Sequence, residues 1–161
     1  MRTLILLSAM PGSGKSTWAR AYQAAHPHTY IVSSDEIRVE LFGTAQDFRD
    51  EKMVWDTFLK RLNDSGKEFD DTTVIADATN LQNKYRRYYC EETPNFDRHV
   101  LVYFKMPYEV CCRQNKMRSS DRVVPDEAMK KLYAELEEPD EETVNLYDEY
   151  LIIHNIDALM K

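Results

Sequence analysis

Apolar residues recur along this chain in two rhythms that alternate from the N-terminus onward. Leu4-Ile5-Leu6-Leu7 is apolar on both faces, the pattern of a central parallel strand, and predicts a strand over about residues 3–8. Thr29-Tyr30-Ile31-Val32-Ser33, Thr72-Thr73-Val74-Ile75-Ala76-Asp77, His99-Val100-Leu101-Val102-Tyr103-Phe104 and Tyr150-Leu151-Ile152-Ile153 predict four more strands. Between them the period lengthens to that of a helix. A first helix is predicted over about 15–26, ending before Pro27. A second is capped by Ser34, opens with Asp35-Glu36 and ends near Gly43. Phe48, Val54, Trp55, Phe58, Leu59 and Leu62 give residues 47–65 a helical spacing that Ser65-Gly66 stops. Further helices are predicted from Asn80 to Tyr89, from Pro107 to about Met117, and over 125–137. Residues 118–124 read as a polar loop, and 137–142 as an acidic turn around Pro139. Strands alternating with helices predict an α/β fold, a mainly parallel sheet of about five strands with helices on both faces.

Composition narrows this picture. At 161 residues the chain is expected to form one domain with a real core over 1–161. No apolar run approaches the roughly 20 residues of a membrane span. The opening Met1-Arg2 followed by apolar residues superficially resembles a secretion signal, but the motif that follows needs this run as its strand. Cys90, Cys111 and Cys112 form no C-x-x-C pair and no zinc spacing; Cys111 and Cys112 are expected to pack on a helix. None of the four histidines, His26, His28, His99 and His154, is assigned to catalysis. A reducing, cytoplasmic setting is the expectation. Net charge is −7, which argues against a surface that coats nucleic acid. The charge is uneven, however. Residues 84–122 carry nine Lys and Arg against five Asp and Glu, a local basic segment that suits a confined anionic ligand.

The chemistry starts at Ala9-Met10-Pro11-Gly12-Ser13-Gly14-Lys15-Ser16-Thr17. Strand, glycine-rich turn, Gly-Lys-Ser and helix together make a phosphate-binding loop. Gly12 and Gly14 permit the tight turn that lets consecutive N–H groups wrap a polyphosphate, and the helix N-terminus adds its positive end. Pro11 to Thr17 are therefore assigned to a nucleoside triphosphate, with Lys15 bridging the β- and γ-phosphates and Ser16 ligating Mg2+. Ala9 stands where the motif usually has its first glycine, the smallest possible change. The fold is accordingly expected to be the P-loop NTPase three-layer α/β/α type.

Ligands in open α/β sheets bind beyond the carboxyl ends of the strands, so the remaining candidates lie there. Asp35 and Arg38, three apart at a helix start, share a face; one suits a proton acceptor, the other a substrate phosphate. Asp77 ends an apolar strand beside the loop and is assigned to Mg2+. Thr79 and Asn80 orient substrate or cap the next helix. Arg118 and Arg122 lie in a basic segment that reads as a short helical lid over about 113–125, able to neutralise charge on a transferring phosphoryl group.

Pro11-Gly12-Ser13-Gly14-Lys15-Ser16-Thr17, Ser33-Ser34-Asp35 with Arg38, Asp77-Ala78-Thr79-Asn80 and Asn115…Arg118…Arg122 together resemble the polynucleotide 5′-hydroxyl kinase family, in order and over residues 2 to about 155. The resemblance implies ATP-dependent, Mg2+-assisted transfer of the γ-phosphate to the 5′-OH end of DNA or RNA. It implies Asp35 as general base, Arg38 as the contact to the acceptor's phosphate, and Arg118 and Arg122 as contacts to the phosphates of ATP. Two alternatives stand beside it: a P-loop kinase of a small hydroxylated metabolite or nucleoside, and a non-catalytic ATP-binding switch protein.

Overall fold

A computed structural model describes residues 1–154 of the domain expected over 1–161. The strands are β1 (Arg2–Ser8), β2 (Thr29–Ser33), β3 (Thr72–Asp77), β4 (Arg98–Phe104) and β5 (Glu149–Ile153). They form one sheet in the order β2-β3-β1-β4-β5, and every pairing is parallel. The doubly apolar pattern of β1 is now explained by its place at the centre. Leu4 and Leu6 point into one core with Val54, Phe58 and Leu62; Ile5 and Leu7 point into the other with Trp18 and Ala19. Helix α1 (Lys15–Ala25) covers the second face, while α3 (Glu51–Asp64) and α4 (Asn83–Glu91) cover the first. This is the three-layer α/β/α arrangement. No helix among the described residues is long and apolar enough to cross a membrane.

The local differences from expectation lie mostly at helix ends, and each has a physical cause. Helix α2 (Ser34–Phe42) is capped by Ser33, not Ser34: the Ser33 hydroxyl accepts from the Glu36 N–H at 3.3 Å. Helix α3 starts at Glu51, not 47. Asp47 accepts from the Arg49 N–H in a local turn, and Asp50 then caps the helix by accepting from Met53 N–H at 3.1 Å. Phe48 consequently stays outside the core, over the Arg38 guanidinium. Helix α4 starts at Asn83, because Asn80 sits at φ 45° and cannot begin a helix. Neither Thr79 nor Asn80 caps it. The acidic turn after Pro139 is in fact a short helix, α7 (Glu141–Leu146), capped by Asp140 on Thr143 N–H at 2.8 Å. Its first turn is Glu141-Glu142, which favours the helix N-terminus. Helices α5 (Tyr108–Lys116) and α6 (Asp126–Glu135) each begin one residue after their proline. Cys111 is buried on α5, as expected, and burial pushes its thiol up to about 11.

One buried cation ties β1 to α4 and the segment before α7. Arg86 on α4 is fully buried and has no carboxylate partner among the described residues. Its Nε donates to Ser8 Oγ and to the Asn80 carbonyl, both at 3.0 Å. Its Nη1 donates to Asn83 Oδ1 at 2.8 Å, and Nη2 to the Leu81 and Glu137 carbonyls at 3.1 and 2.7 Å. Burial lowers the guanidinium pKa from its ordinary value, yet a planar fork of five donors satisfies these carbonyls as no other side chain can. The 79–82 segment is thereby fixed against the end of β1. Replacing this residue, Arg86→Met, should lower stability by about 3 kcal/mol or more, because several buried acceptors lose their donor. Arg86→Lys should recover only part of it. Urea unfolding midpoints check both; a midpoint unmoved in Arg86→Met contradicts the role given to this fork.

Candidate active site

The carboxyl ends of β1, β2 and β3 open onto two cavities. The first, about 480 Å³, is lined by Gly12, Gly14, Lys15, Ser16, Thr17 and Arg20 on one side, and by Glu36, Gln114, Arg118, Ser119 and Arg122 on the other. The second, about 620 Å³, holds Ser34, Asp35, Arg38 and Glu51 on one wall and Asp77, Ala78 and Thr79 at its base. Among the described residues, Lys15 and Arg118 alone line both.

The phosphate loop is built by its glycines for two separate reasons. Gly12 and Gly14 sit at φ 81° and 93°, where a side chain is strained. A Cβ on Gly12 would also overlap the Cys111 carbonyl oxygen and come within 2.8 Å of the Asn115 nitrogen. The loop therefore lies against the backbone of α5. Gly14 supplies no side-chain cap to α1, so the N–H groups of the first turn point to the cavity unscreened by protein. Ser13 Oγ is buried without a hydrogen-bond partner among the described residues. Ala9 is fully buried, and its N–H donates to the Thr79 carbonyl at 2.8 Å, so a methyl is accommodated at this position.

Lys15 is only 8% exposed, yet its ammonium pairs with no carboxylate among the described residues. A nearly buried, uncompensated cation is costly to hold, and an anion in either cavity would offset that cost. Ser16 Oγ donates to Asp77 Oδ2 at 2.9 Å. Among the described residues no group of three or more His, Cys, Asp or Glu is placed to hold a metal ion. A hydroxyl beside one carboxylate nevertheless fits Mg2+, which takes most of its ligands from phosphate oxygens and water.

Asp35 lies between two guanidinium groups. Its Oδ1 accepts from Arg38 Nη1 at 3.2 Å and its Oδ2 from Arg118 Nη2 at 3.3 Å. Arg38 is buried and bidentate on Glu51, at 3.1 Å through Nε and 2.7 Å through Nη2. It is sandwiched near Phe48 and Trp55, with ring centroids 5.0 and 5.4 Å from its carbon. Three of its five N–H groups are thus committed to carboxylates. Arg122 pairs with Glu36 across the first cavity. Thr79 borders the second cavity, whereas the Asn80 amide donates to the Leu7 carbonyl at 2.9 Å and braces β1. The structure thus brings together Lys15, Ser16, Asp35, Arg38, Asp77, Thr79 and Arg118, with Arg122 at the outer rim. Glu51 and Arg20 complete the walls without having been read from the sequence. Arg20 follows Ser16 by four on α1, a spacing that places both on one face. Glu51 carries no such signal, because thirteen residues and a loop separate it from Arg38.

A family model described as an AAA domain matches residues 4–139. Among solved structures, the chain superposes on Kti12 from Chaetomium thermophilum in complex with ADP-AlF3 with a TM-score of 0.71 at 18% identity, covering 94% of this chain and 88% of that one. A chain of the Pnkp1/Rnl/Hen1 RNA repair complex gives 0.73 at 23% identity, over 91% of this chain but only 46% of that one. A gluconokinase from Sinorhizobium meliloti gives 0.63 at 18% identity, over 94% and 82%. At these identities the likeness is one of fold.

Because Lys15 is held without a partner, Lys15→Met should leave the ligand-free protein as stable as before or stabilise it by about 1 kcal/mol. The same variant should lose the rise in Tm that wild-type protein shows with Mg2+·ATP. Thermal unfolding with and without nucleotide checks both halves; destabilisation of the ligand-free variant contradicts the uncompensated charge.

Proposed function

This chain belongs to the AAA domain family, and from that premise we propose that it is an Mg2+·ATP-dependent kinase acting on a hydroxyl, the 5′-OH end of DNA or RNA. The observation that carries this reading is the pair of cavities that share Lys15 and Arg118 in their walls, one beside the phosphate loop and the other beside Asp35. A switch protein needs the first cavity; a kinase needs both. That Pnkp1 belongs to an RNA repair complex accords with a nucleic-acid acceptor.

In this reading the triphosphate occupies the first cavity, cradled by Pro11 to Thr17 with Lys15 on the β- and γ-phosphates. Ser16 and Asp77 would hold Mg2+, which supplies neutralisation of phosphate charge. The acceptor enters the second cavity with its hydroxyl toward Asp35. Its oxygen bonds to the γ-phosphorus as the bond to the bridging oxygen breaks; the hydroxyl proton passes to Asp35 and ADP departs. Arg38, clamped by Glu51, holds Asp35 Oδ1 in place and keeps two N–H groups for an acceptor phosphate, while Thr79 borders the acceptor. The γ-phosphate draws Arg118 from Asp35 Oδ2, which frees that oxygen for the incoming hydroxyl. Residues 113–125 act as a short lid, carrying Arg118 and Arg122 over the phosphates.

A small hydroxylated metabolite or nucleoside is the second acceptor class. It is favoured by the size of the second cavity, about 620 Å³, which suits a single small molecule. Transfer from labelled ATP to 5′-OH oligonucleotides, nucleosides and sugars separates the two; labelling of sugars alone overturns the nucleic-acid reading. The Asp35→Asn variant should keep its ATP-dependent rise in Tm and lose about 10² to 10⁴ in transfer rate. Undiminished transfer in that variant removes Asp35 as the base. Arg118→Ala should lower kcat by about 10³.

A further inference from the structure

The second cavity does not end at Asp35. Past Trp55 and Thr79 it runs into another hollow of about 600 Å³, between α3, the 79–82 segment, α4 and α6. Trp55, Thr79, Leu132 and Glu135 line both, so the two form one continuous trough. Its outer half is aromatic, with Trp55, Tyr85 and Tyr88 on its walls.

The helix that carries these rings explains why they stand there. Helix α4 turns Asn83, Arg86 and Tyr89 inward, which leaves Tyr85 and Tyr88, three apart, on a neighbouring face. Each is 45% exposed, although an aromatic ring gains by burial. Tyr88 is not loose: its ring meets the buried Tyr89 edge-on at 5.1 Å, and Tyr89 in turn meets Phe58 at 5.5 Å. Lys84 lines the outer half and Lys131 the inner, and neither pairs with a carboxylate among the described residues. The Lys84 ammonium, 4.9 Å from the Tyr85 ring centroid, and that of Lys131 in the inner half supply positive charge that, with the exposed rings, complements a ligand with flat faces and anionic links.

We propose that this trough holds the nucleobases following the 5′-OH end of a single-stranded nucleic acid, stacked on Tyr85 and Tyr88 with their phosphates toward Lys84 and Lys131. The inference rests on the nucleic-acid reading of the acceptor. A sugar would fill the cavity at Asp35 and leave the outer half empty. A duplex buries its base faces against one another, so a single strand is the form that presents them to tyrosine rings. Base–aromatic stacking is strong enough to matter and tolerant of sequence, which accords with the lack of any base-reading motif.

The test compares a nucleoside 3′-monophosphate with 5′-OH ribo- and deoxyribo-oligonucleotides of increasing length, using the full chain. KM should fall as the acceptor lengthens from mononucleotide to tetranucleotide, and a blunt duplex should gain nothing. Tyr85→Ala and Tyr88→Ala should each raise KM for the tetranucleotide roughly tenfold. Both should leave kcat, and KM for the mononucleotide, within about twofold, while Tyr→Phe at either position restores the wild-type values. Equal losses on both acceptors, or no benefit from length, overturn the trough. Anisotropy of a 3′-labelled tetranucleotide without ATP tests the trough apart from the acceptor assignment. If no nucleotide is phosphorylated but tyrosine-dependent binding persists, the acceptor reading fails and the trough stands. If wild-type protein binds the tetranucleotide no better than Tyr85→Ala and Tyr88→Ala do, the trough is overturned whatever the acceptor.

Discussion

The Lys15 ammonium, nearly buried and in no ion pair among the described residues, is the constraint on which the rest of the site depends. It stands at the first residue of α1, where the strand, the glycine turn and the helix N-terminus meet. Open N–H groups, a helix end, and Arg20, Arg118 and Arg122 on the walls add positive potential around it, with Glu36, paired to Arg122, the one carboxylate among the described residues lining that cavity. A fold that holds a cation this way is incomplete until an anion arrives. The loop itself has little freedom, because Gly12 is pinned between a left-handed backbone and the carbonyl face of α5.

Opposite that cation the chemistry is reversed. Asp35 and Glu51 balance Arg38 and Arg118 in a compact set of two carboxylates and two guanidinium groups. Such a set resists distortion, since removing one member leaves another charge uncompensated in a partly dry place. It also gives the site two settings. Arg118 touches Asp35 in the structure and lines the cavity beside the phosphate loop as well, so an anion there would compete with the carboxylate for the same guanidinium.

The sheet and most helices were legible in the sequence because hydrophobic period is a local signal. The doubly apolar β1 announced a central parallel strand, and the five strands appear within a residue or two of where their apolar runs lie. Helix ends were less legible, for they depend on which polar side chain turns back on the backbone. Ser33 and Ser34 are chemically equivalent caps, and only the end of β2 selects Ser33. Phe48 has the spacing of a helical core residue but covers a guanidinium, because the Asp47 turn and the Asp50 cap delay the helix.

By itself the sequence determined the layered α/β plan and the phosphate loop, and singled out Lys15, Ser16, Asp35, Arg38, Asp77 and Arg118 as candidates for the chemistry. Those depend on spacing within one segment, and spacing is written in the chain. The tertiary structure alone decided that Glu51 clamps Arg38, that Arg118 reaches Asp35, that Arg86 locks the 79–82 segment, and that Tyr85 and Tyr88 extend the Asp35 cavity. These pairings join residues from separate elements, and only the packing of helices on the two faces of the sheet brings them within reach.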